Sequence, residues 1–293
     1  MLNPIEAIKK ISSRYSRKFH GLSNQQAILH REYARIKQEI GSSTPGNPAL
    51  FGYKVYSQFD EDGIIAHIFS KIGKGDRAFL EIGCSDGLEN NTHALLLEGW
   101  RGVWIDADVK KAAFLAKHLP ATPRLIIKRA FVSVSNGQDI VSDALTQLGI
   151  KRIDFLSIDI DGDDLNVLLA ILKCITPRVI CAEYNAKFPP PMRVSVQGRS
   201  GEFWSGDDYH GASLSAIEEA LHDEGYRLVS CGASGVNAFF VRTDEAGAFP
   251  QFTVEQLFRP AMFELSRIAS GHPASLKFLA DHLAGPQSLD ATK

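Results

Sequence analysis

Short, almost continuous apolar runs alternate with helical periodicity from about Tyr53 onwards, and this pattern constrains the fold most. A strand buried on both faces, as in a parallel sheet covered by helices, has such a run. The predicted strands are Ala78–Ile82, Gly102–Ile105, Leu125–Val132, Asp154–Ile158 and Val179–Ala182. The predicted helices before, between and after them are Ile64–Ile72, Thr92–Glu98, Lys110–His118, Gln138–Leu148, Asp164–Ile175 and Leu214–Glu224.

Two further apolar runs, Tyr226–Ser230 and Val236–Val241, are separated by only five residues. This spacing leaves no room for a helix and predicts an antiparallel hairpin at the end of the sheet. We therefore expect an α/β fold: a doubly wound, Rossmann-like sheet of about seven strands with a reversed C-terminal hairpin.

The two ends of the chain have a different pattern from the centre. The first 40 residues carry two apolar stripes of helical spacing, and Ser23 with Gln26 forms a candidate capping box for a second helix. Gly41 to Pro48 has the composition of a linker. The sequence thus predicts a basic helical leader over 1–50, an α/β domain over 51–243 and an external, mostly helical tail over 244–293.

The charge distribution and the cysteine content indicate which binding partners and which cellular compartment to expect. The net charge of −2 gives no general reason to expect nucleic acid, although eight Lys/Arg against three Glu leave residues 1–50 at +5. That leader is most simply a solvated helical face; it also suits contact with an acidic membrane surface, or a homo-oligomer formed through its helices. The four cysteines form no C-x-x-C pair, and no apolar stretch approaches 18 residues. We expect a soluble cytoplasmic protein.

A glycine-bracketed turn follows the first predicted strand. Gly83 and Gly87 flank Cys84, Ser85 and Asp86, and Glu81 precedes them within the strand. Such a turn either closes a tight strand-to-helix connection or brings backbone amides close to a ligand.

A second acid follows the next strand. Asp106 lies 23 residues beyond Gly83, the spacing at which an acid binds the ribose hydroxyls of a nucleoside. The alternative role, capping of the following helix, suits Asp108 better.

Acids also gather after the fourth and fifth predicted strands. Asp159, Asp161, Asp163 and Asp164 follow one strand, and Glu183 and Asn185 follow the next. Several oxygen ligands on neighbouring strand ends favour a hard divalent cation such as Mg²⁺. Asp163 or Asp164 has the alternative role of helix cap.

Together, "FLEIGCSDG", "GVWIDAD", "DFLSIDIDG" and "VICAEYN" resemble class I S-adenosylmethionine-dependent methyltransferases, most closely the FkbM-type branch. The resemblance covers about residues 53–242. It implies that the glycine turn (Glu81, Gly83, Cys84, Ser85, Asp86 and Gly87) binds the methionine part of the cofactor and that Asp106 binds its ribose. The acid usual near the adenine is missing after the third strand, where Ser133 or Asn136 is the candidate substitute.

A second resemblance is to metal-dependent O-methyltransferases of the catechol type. It implies metal ligands at Asp159, Glu183 and Asn185, with Asp161 as an additional candidate. The family's catalytic lysine is replaced by Gly162, which leaves the general base open. His210 and Lys187 are the best candidates for the base, and Asp159 is also predicted to be a catalytic residue. Gln58, Asp60 and Glu61 are candidates to cover the cofactor, or they belong to a capped helix start. Trp204, Asp208 and Tyr209 are candidates to contact an acceptor, or they take part in ordinary loop packing.

These expectations combine into one predicted activity. The chain is predicted to be a methyltransferase that transfers a methyl group from S-adenosylmethionine to a hydroxyl of a small molecule or glycan, assisted by Mg²⁺ or another divalent cation. Two alternatives stay open: a non-catalytic module that binds a nucleoside, and another metal-dependent enzyme on the same fold.

Overall fold

The computed structural model of the chain describes residues 4–196 and 205–285, with side chains from residue 24 onwards. Seven strands form one sheet, and each predicted apolar run overlaps one of them. The strands are β1 (Ala78–Ile82), β2 (Arg101–Asp106), β3 (Leu125–Arg129), β4 (Phe155–Ile158), β5 (Val179–Glu183), β6 (Tyr226–Cys231) and β7 (Asn237–Arg242). The prediction for β3 ran three residues too far, because 130–132 leave the sheet.

The strand order is β3-β2-β1-β4-β5-β7-β6. The first five strands are parallel, and β7 pairs antiparallel with both β5 and β6. The order reverses between β1 and β4, so their carboxyl ends diverge into a crevice. The predicted Rossmann-like α/β fold with a reversed C-terminal hairpin is confirmed, and β7 lies between β5 and β6.

Helices cover both faces of the sheet, and side chains alternate between two apolar layers. Phe79, Trp104 and Phe155 belong to one layer, whereas Leu80 and Ile105 belong to the other. This alternation follows from the two-residue period of a strand. The helices before and between the strands are α2 (Glu61–Ile72), α3 (His93–Leu97), α4 (Val109–His118), α5 (Gly137–Gln147), α6 (Asp164–Leu172) and α7 (Leu214–Asp223).

The N-terminal region differs from the prediction of two helices, because α1 is continuous over Pro4–Ser43. Gln26 does not cap a helix. Its side-chain amide donates to the Arg267 carbonyl oxygen at 2.7 Å and accepts the Ala269 N–H at 2.8 Å. The spacing that resembles a capping box therefore belongs to a residue that makes a long-range contact. Ile36 and Ile40 of α1 are buried in the core.

The predicted linker is also integrated into the fold. Gly41 to Ser43 complete α1, and Thr44 and Asn47 are buried. The Asn47 side-chain oxygen accepts hydrogen bonds from the Ala49 N–H and the Ser230 hydroxyl, the latter at 2.7 Å. The turn therefore joins α1 to β6, and its polar composition reflects buried hydrogen bonds instead of solvent exposure.

The C-terminal tail contains less helix than predicted. Its helices are α8 (Val254–Leu257), α9 (Lys277–Ala284) and two short 3₁₀ helices, Ala246–Ala248 and Phe263–Arg267; a further 3₁₀ helix spans Pro48–Phe51. Leu257, Leu265 and Leu279 are buried in the core, so the tail is part of the domain's packing.

All four cysteines are free thiols, and Cys174 alone among them is exposed. None of the helices in the described ranges combines the length and apolar character that crossing a membrane requires.

Candidate functional site

A cleft of about 520 Å³ opens at the carboxyl ends of β1 to β5. The predicted site residues that line it are Gly83, Ser85, Asp106, Ser133, Asp159, Asp161 and Glu183. The fold therefore brings the ends of five strands, β1 to β5, to one surface, where ligands of open α/β sheets bind.

The glycine turn and Asp106 are joined directly. The Ser85 N–H donates to Asp106 Oδ2 at 2.7 Å, and the Gly83 N–H donates to the Ile105 carbonyl oxygen at 2.8 Å. Ser85 has a φ of 53°, in the left-handed region. Asp106 Oδ1 also accepts the Asp108 N–H, so each carboxylate oxygen has one protein donor and keeps a lone pair for a ligand hydroxyl.

The remaining residues of the turn do not line the cleft. Cys84 is buried in the core, where burial holds the pKa of its thiol well above its usual value. Asp86 accepts the Leu88 N–H within the turn. Gly87 has a φ of 73° and packs against Trp104 and Leu115. These three residues shape the turn, and their assignment to cofactor binding stays a prediction.

Glu81 was expected beside the crevice, but its side chain is only 3% exposed and turns toward the loop before α3. One carboxyl oxygen accepts the Asn91 N–H at 2.8 Å, and the other bonds to the Thr92 hydroxyl. Burial raises the pKa of Glu81 to about 7, against the opposing effect of these hydrogen bonds. Glu81 therefore anchors the loop beneath the cleft and does not line it.

The chain after β3 forms one wall of the cleft. Residues 130–134 line it, and among them Phe131 and Val134 expose apolar surface. Asn136 holds this wall: its side chain accepts the Ser133 N–H and donates to the Phe131 carbonyl oxygen. Of the two polar residues expected near an adenine, Ser133 lines the cleft and Asn136 supports it.

Three of the predicted metal ligands converge. Asp159, Asp161 and Glu183 each offer a carboxylate oxygen, and these oxygens lie within 4.8 Å of one another. Asp159 and Asp161 remain accessible to water from the cleft. The pKa values of Asp159 and Glu183 are both raised, because the surrounding protein disfavours charge and the neighbouring carboxylates repel one another.

The loop after β4 is built around Asp164. Its carboxylate accepts the Ile160 and Gly162 N–H groups at 2.7 and 3.0 Å, whereas Asp163 accepts from the Asn166 side-chain amide. Asp161 has a φ of 53° within this loop. Asp164 therefore holds the loop that presents the metal-binding candidates, and neither acid caps α6 through its side chain.

Asn185, a predicted metal ligand, forms hydrogen bonds with the backbone of two loops. Its Nδ2 donates to the carbonyl oxygens of Asp208 and His210, both at 3.0 Å, and its Oδ1 accepts the Lys187 N–H. It is absent from the residues that line the cleft. Because its amide binds backbone on both sides, Asn185 holds the 208–210 loop, and the structure does not place it in the acidic cluster.

The candidate bases differ in position. Lys187 forms an exposed ion pair with Asp208 and does not line the cleft. His210 also lies outside the lining, but the next residue, Gly211, donates its N–H to the Gly162 carbonyl oxygen at 2.8 Å. Asp159, the third predicted catalytic residue, lines the cleft. Trp204 lies outside the described residues.

Phe263 lines the cleft and was missed by sequence reasoning. The segment before it is held by Tyr184, whose hydroxyl donates to the Arg259 carbonyl oxygen at 2.8 Å, and by the Met262 N–H, which donates to the Ser234 carbonyl oxygen. No local pattern in the tail signals this position. Gln58 also lines the cleft, as its candidate role as a cover predicts, whereas Asp60 and Glu61 are buried away from it.

The cleft offers the chemical groups that the two expected ligands, an S-adenosyl group and a divalent cation, require. An S-adenosyl group needs a hydroxyl acceptor for its ribose and an apolar wall for its base; Asp106 and Phe131 supply these within one cleft. A hard divalent cation needs several oxygens that converge, and Asp159, Asp161 and Glu183 provide them. The residues fit both groups.

No protein-family model matches the sequence, and neither does any curated protein sequence. Solved structures with a similar fold include one from Staphylococcus aureus described as a caffeoyl-CoA O-methyltransferase, with 11% identity, coverage of 79% of this chain and 99% of the other, and a TM-score of 0.43. Another is an S-adenosylmethionine-dependent methyltransferase from Clostridium acetobutylicum, with 12% identity, coverage of 73% and 98%, and a TM-score of 0.37. A third, from Klebsiella pneumoniae and described as an O-methyltransferase, has 15% identity, coverage of 71% and 87%, and a TM-score of 0.37. At these identities and TM-scores, the likenesses carry no weight in assigning a function to this chain.

Proposed function

We propose that this protein is an S-adenosylmethionine-dependent O-methyltransferase of the FkbM type that acts with a divalent cation. The observation that carries the proposal is that a candidate nucleoside site and a candidate metal site lie in the same cleft. The glycine turn bonded to Asp106 lies on one side of the crevice, and the cluster of Asp159, Asp161 and Glu183 lies on the other.

The nucleoside side of the proposal rests on Asp106 and on the wall after β3. Both oxygens of Asp106 are oriented by backbone N–H donors, which fixes the carboxylate for two ribose hydroxyls. Phe131 and Val134 offer exposed apolar surface for the adenine. S-adenosylmethionine, when bound, supplies a methyl group on a positively charged sulfur that is already activated for transfer.

Transfer requires the acceptor oxygen to attack the methyl carbon in line with the breaking carbon–sulfur bond. The electron pair of that bond goes to sulfur, and the hydroxyl proton of the acceptor leaves to a base. The protein's main contribution is alignment, which converts a reaction between two molecules into one within a single complex. The acidic cluster orients the acceptor in this scheme.

A divalent cation held by Asp159, Asp161 and Glu183 would lower the pKa of an acceptor hydroxyl and orient it. Without the cation, the raised pKa of Asp159 suits that carboxylate to accept the proton. His210 is the other candidate base, because its loop bonds to the loop that carries Asp161.

The acceptor class is inferred from the cleft's chemistry. An acceptor with several hydroxyls matches the converging carboxylates, and Phe263, whose surface is 63% exposed, offers a flat apolar face to a ring. Together these features favour a polyhydroxylated small molecule or a glycan.

The test is incubation of the purified protein with S-adenosylmethionine, Mg²⁺ and a panel of hydroxylated acceptors, followed by mass spectrometry. The proposal predicts S-adenosylhomocysteine together with a product heavier than its acceptor by one CH₂. Ligand binding without turnover across the panel would favour the nucleoside-binding module. A product with a different mass change would favour another enzyme class on this fold.

A further inference from the structure

A buried carboxylate contacts the turn that joins β6 to β7. Asp60 is only 1% exposed, and its Oδ2 accepts the Ala233 N–H at 3.2 Å and the Tyr33 hydroxyl at 3.4 Å. Its other oxygen, Oδ1, is buried without a hydrogen-bond partner among the described residues. Because a buried charge that lacks a partner is costly, a positively charged group is expected at Oδ1.

A second buried polar atom borders the same space. Ser234 is 2% exposed, and its hydroxyl oxygen likewise bonds to none of the described residues. A Cβ atom added to Gly232 would lie 3.1 Å from Asp60 Oδ1 and 3.9 Å from Ser234 Oγ. The Asn237 carbonyl oxygen would lie 3.6 Å from the same added atom. Three oxygens, one from the start of α2 and two from the β6–β7 hairpin, therefore surround the space beside Gly232.

Gly232 keeps this space open for a reason other than backbone conformation. It is not among the described glycines with a positive φ, so an L-residue could adopt its conformation. Glycine contributes a missing side chain here, because even a methyl group would approach the Asp60 carboxylate to 3.1 Å. The space therefore suits a small ligand that binds oxygen atoms.

The charges around Asp60 favour a ligand with a single positive charge. Glu61 repels the Asp60 carboxylate, and Lys37 attracts it. The Lys37 ammonium donates to the Gly52 carbonyl oxygen at 2.8 Å. With the two acids and the lysine all ionised, the net charge is −1, which a monovalent cation neutralises. Carboxylate, hydroxyl and carbonyl oxygens are also the ligands that hard cations prefer.

We propose that Asp60 Oδ1, Ser234 Oγ and the Asn237 carbonyl oxygen bind an alkali cation, Na⁺ or K⁺. The cation lies in the space beside Gly232 and joins the start of α2 to the β6–β7 turn. This site is separate from the acidic cluster of the cleft, and its occupation does not depend on the proposed methyl transfer.

The cation site also supports one wall of the cleft from behind. The β6–β7 turn carries Val236, which lines the cleft. The carbonyl oxygen of Ser234 accepts the Met262 N–H, and the next residue, Phe263, lines the cleft as well. Binding of the cation therefore stabilises the turn on which both of these lining residues depend.

The test is ²³Na NMR of the purified protein, in which line broadening reports bound Na⁺ and K⁺ serves as competitor. The measurement is made at pH 9, because burial and repulsion from Glu61 raise the pKa of Asp60 to about 8 and a proton competes for Oδ1. The variants are Gly232→Ala, which fills the space, and Asp60→Asn, which removes the charge. Gly247→Ala is the matched control, since its φ is likewise not positive and no atom lies within 4 Å of its added Cβ.

The wild type and the control are expected to broaden the ²³Na signal saturably. Both site variants should bind Na⁺ at least about tenfold more weakly, the effect of losing one interaction with a charged group. Na⁺ bound elsewhere, including at the acidic cluster of the cleft, contributes equally to all four proteins. The same broadening in the two site variants as in the wild type overturns the inference.

Urea unfolding gives a second measure that does not depend on NMR. It is compared in NaCl, KCl and choline chloride at equal ionic strength. In about 100 mM salt, a site with a Kd of about 10 mM favours the folded wild type about elevenfold over choline, and the salt with the larger effect identifies the preferred ion. Both site variants should lose this difference. Identical unfolding of the wild type in all three salts would leave only a water molecule or a proton at the site and overturn the inference.

Discussion

Gly83 and Asp159 approach so closely that a Cβ atom on residue 83 would lie 1.6 Å from the Asp159 carbonyl oxygen. The Asp159 N–H also donates to the carbonyl oxygen of Ile82, the residue before Gly83, at 3.0 Å. The turn proposed to bind the methyl donor and the first acid of the cluster are thus in backbone contact. This contact fixes the distance between the two halves of the cleft.

Gly83→Ala is expected to destabilise the protein by more than about 3 kcal/mol, because the new methyl group overlaps backbone that cannot move away. Gly99→Ala is the matched control: Gly99 has a φ of 85°, close to the 89° of Gly83, but no atom lies within 4 Å of its added Cβ. The control should lose about 1 to 2 kcal/mol from backbone strain alone. Urea unfolding measures both, and equal losses would show that the close contact with Asp159 is unimportant.

The double variant Asp159→Asn, Glu183→Gln is expected to lose saturable Mn²⁺ binding, because it removes two of the three converging carboxylates. Electron paramagnetic resonance of free Mn²⁺ gives the bound fraction. Asp163→Asn serves as control, since Asp163 lies in the same loop but outside the cluster. Retained Mn²⁺ affinity in the double variant would remove the cluster from the proposed metal site. The melting temperature of the double variant should not fall below that of the wild type, because the two substitutions also relieve the repulsion between the carboxylates of the cluster.

Glu81 makes stability depend on pH in a specific direction. Its pKa is about 7 in the folded protein and near 4.5 in the unfolded chain, so the folded state binds its proton more tightly. This contribution is fully present below about pH 4.5 and is lost as pH rises through 7, by at most about 3 kcal/mol. In urea unfolding at pH 5, 6 and 7.5, Glu81→Gln should show a smaller fall in the free energy of unfolding than the wild type. An unchanged fall would mean that Glu81 titrates normally.

Tyr184→Phe is expected to loosen the segment that carries Phe263, since it removes the hydroxyl bonded to both the carbonyl oxygen and the N–H of Arg259. The expected loss of stability is about 1 to 2 kcal/mol. Hydrogen exchange should accelerate over residues 259–267 while the strands keep their protection. Uniform acceleration over the sheet would instead indicate a general loss of packing. Tyr226→Phe is the comparison, because that buried hydroxyl bonds to the Pro177 carbonyl oxygen, away from the cleft.

The strands and Asp106 could be predicted from sequence because their signals are local. A strand covered on both faces is almost continuously apolar, as β1 and β4 are apart from Glu81 and Ser157, and the strand ends follow from where that run stops. The chain order then brings Gly83, Asp106 and Asp159 to one edge of a parallel sheet. The convergence of Asp159 with Glu183 followed from the same rule.

The errors have a common cause, which is long-range contact. The spacing of Ser23 and Gln26 is that of a capping box, yet Gln26 bonds to residues more than 240 positions away. The Asn185 amide bonds to the 208–210 loop, a contact that its sequence position does not signal, and its assignment as a metal ligand stays a prediction. Phe263 reaches the cleft because Tyr184 anchors a distant segment. The domain boundaries, the cytoplasmic location and the partners of the basic leader stay predictions.

Calorimetric titration of the wild-type protein with S-adenosylhomocysteine tests the central claim most directly, with Asp106→Ala as the partner variant. We expect saturable binding at one site per chain, weakened by about tenfold or more when the Asp106 carboxylate is removed. Absence of binding to the wild type, with and without Mg²⁺, would contradict the account.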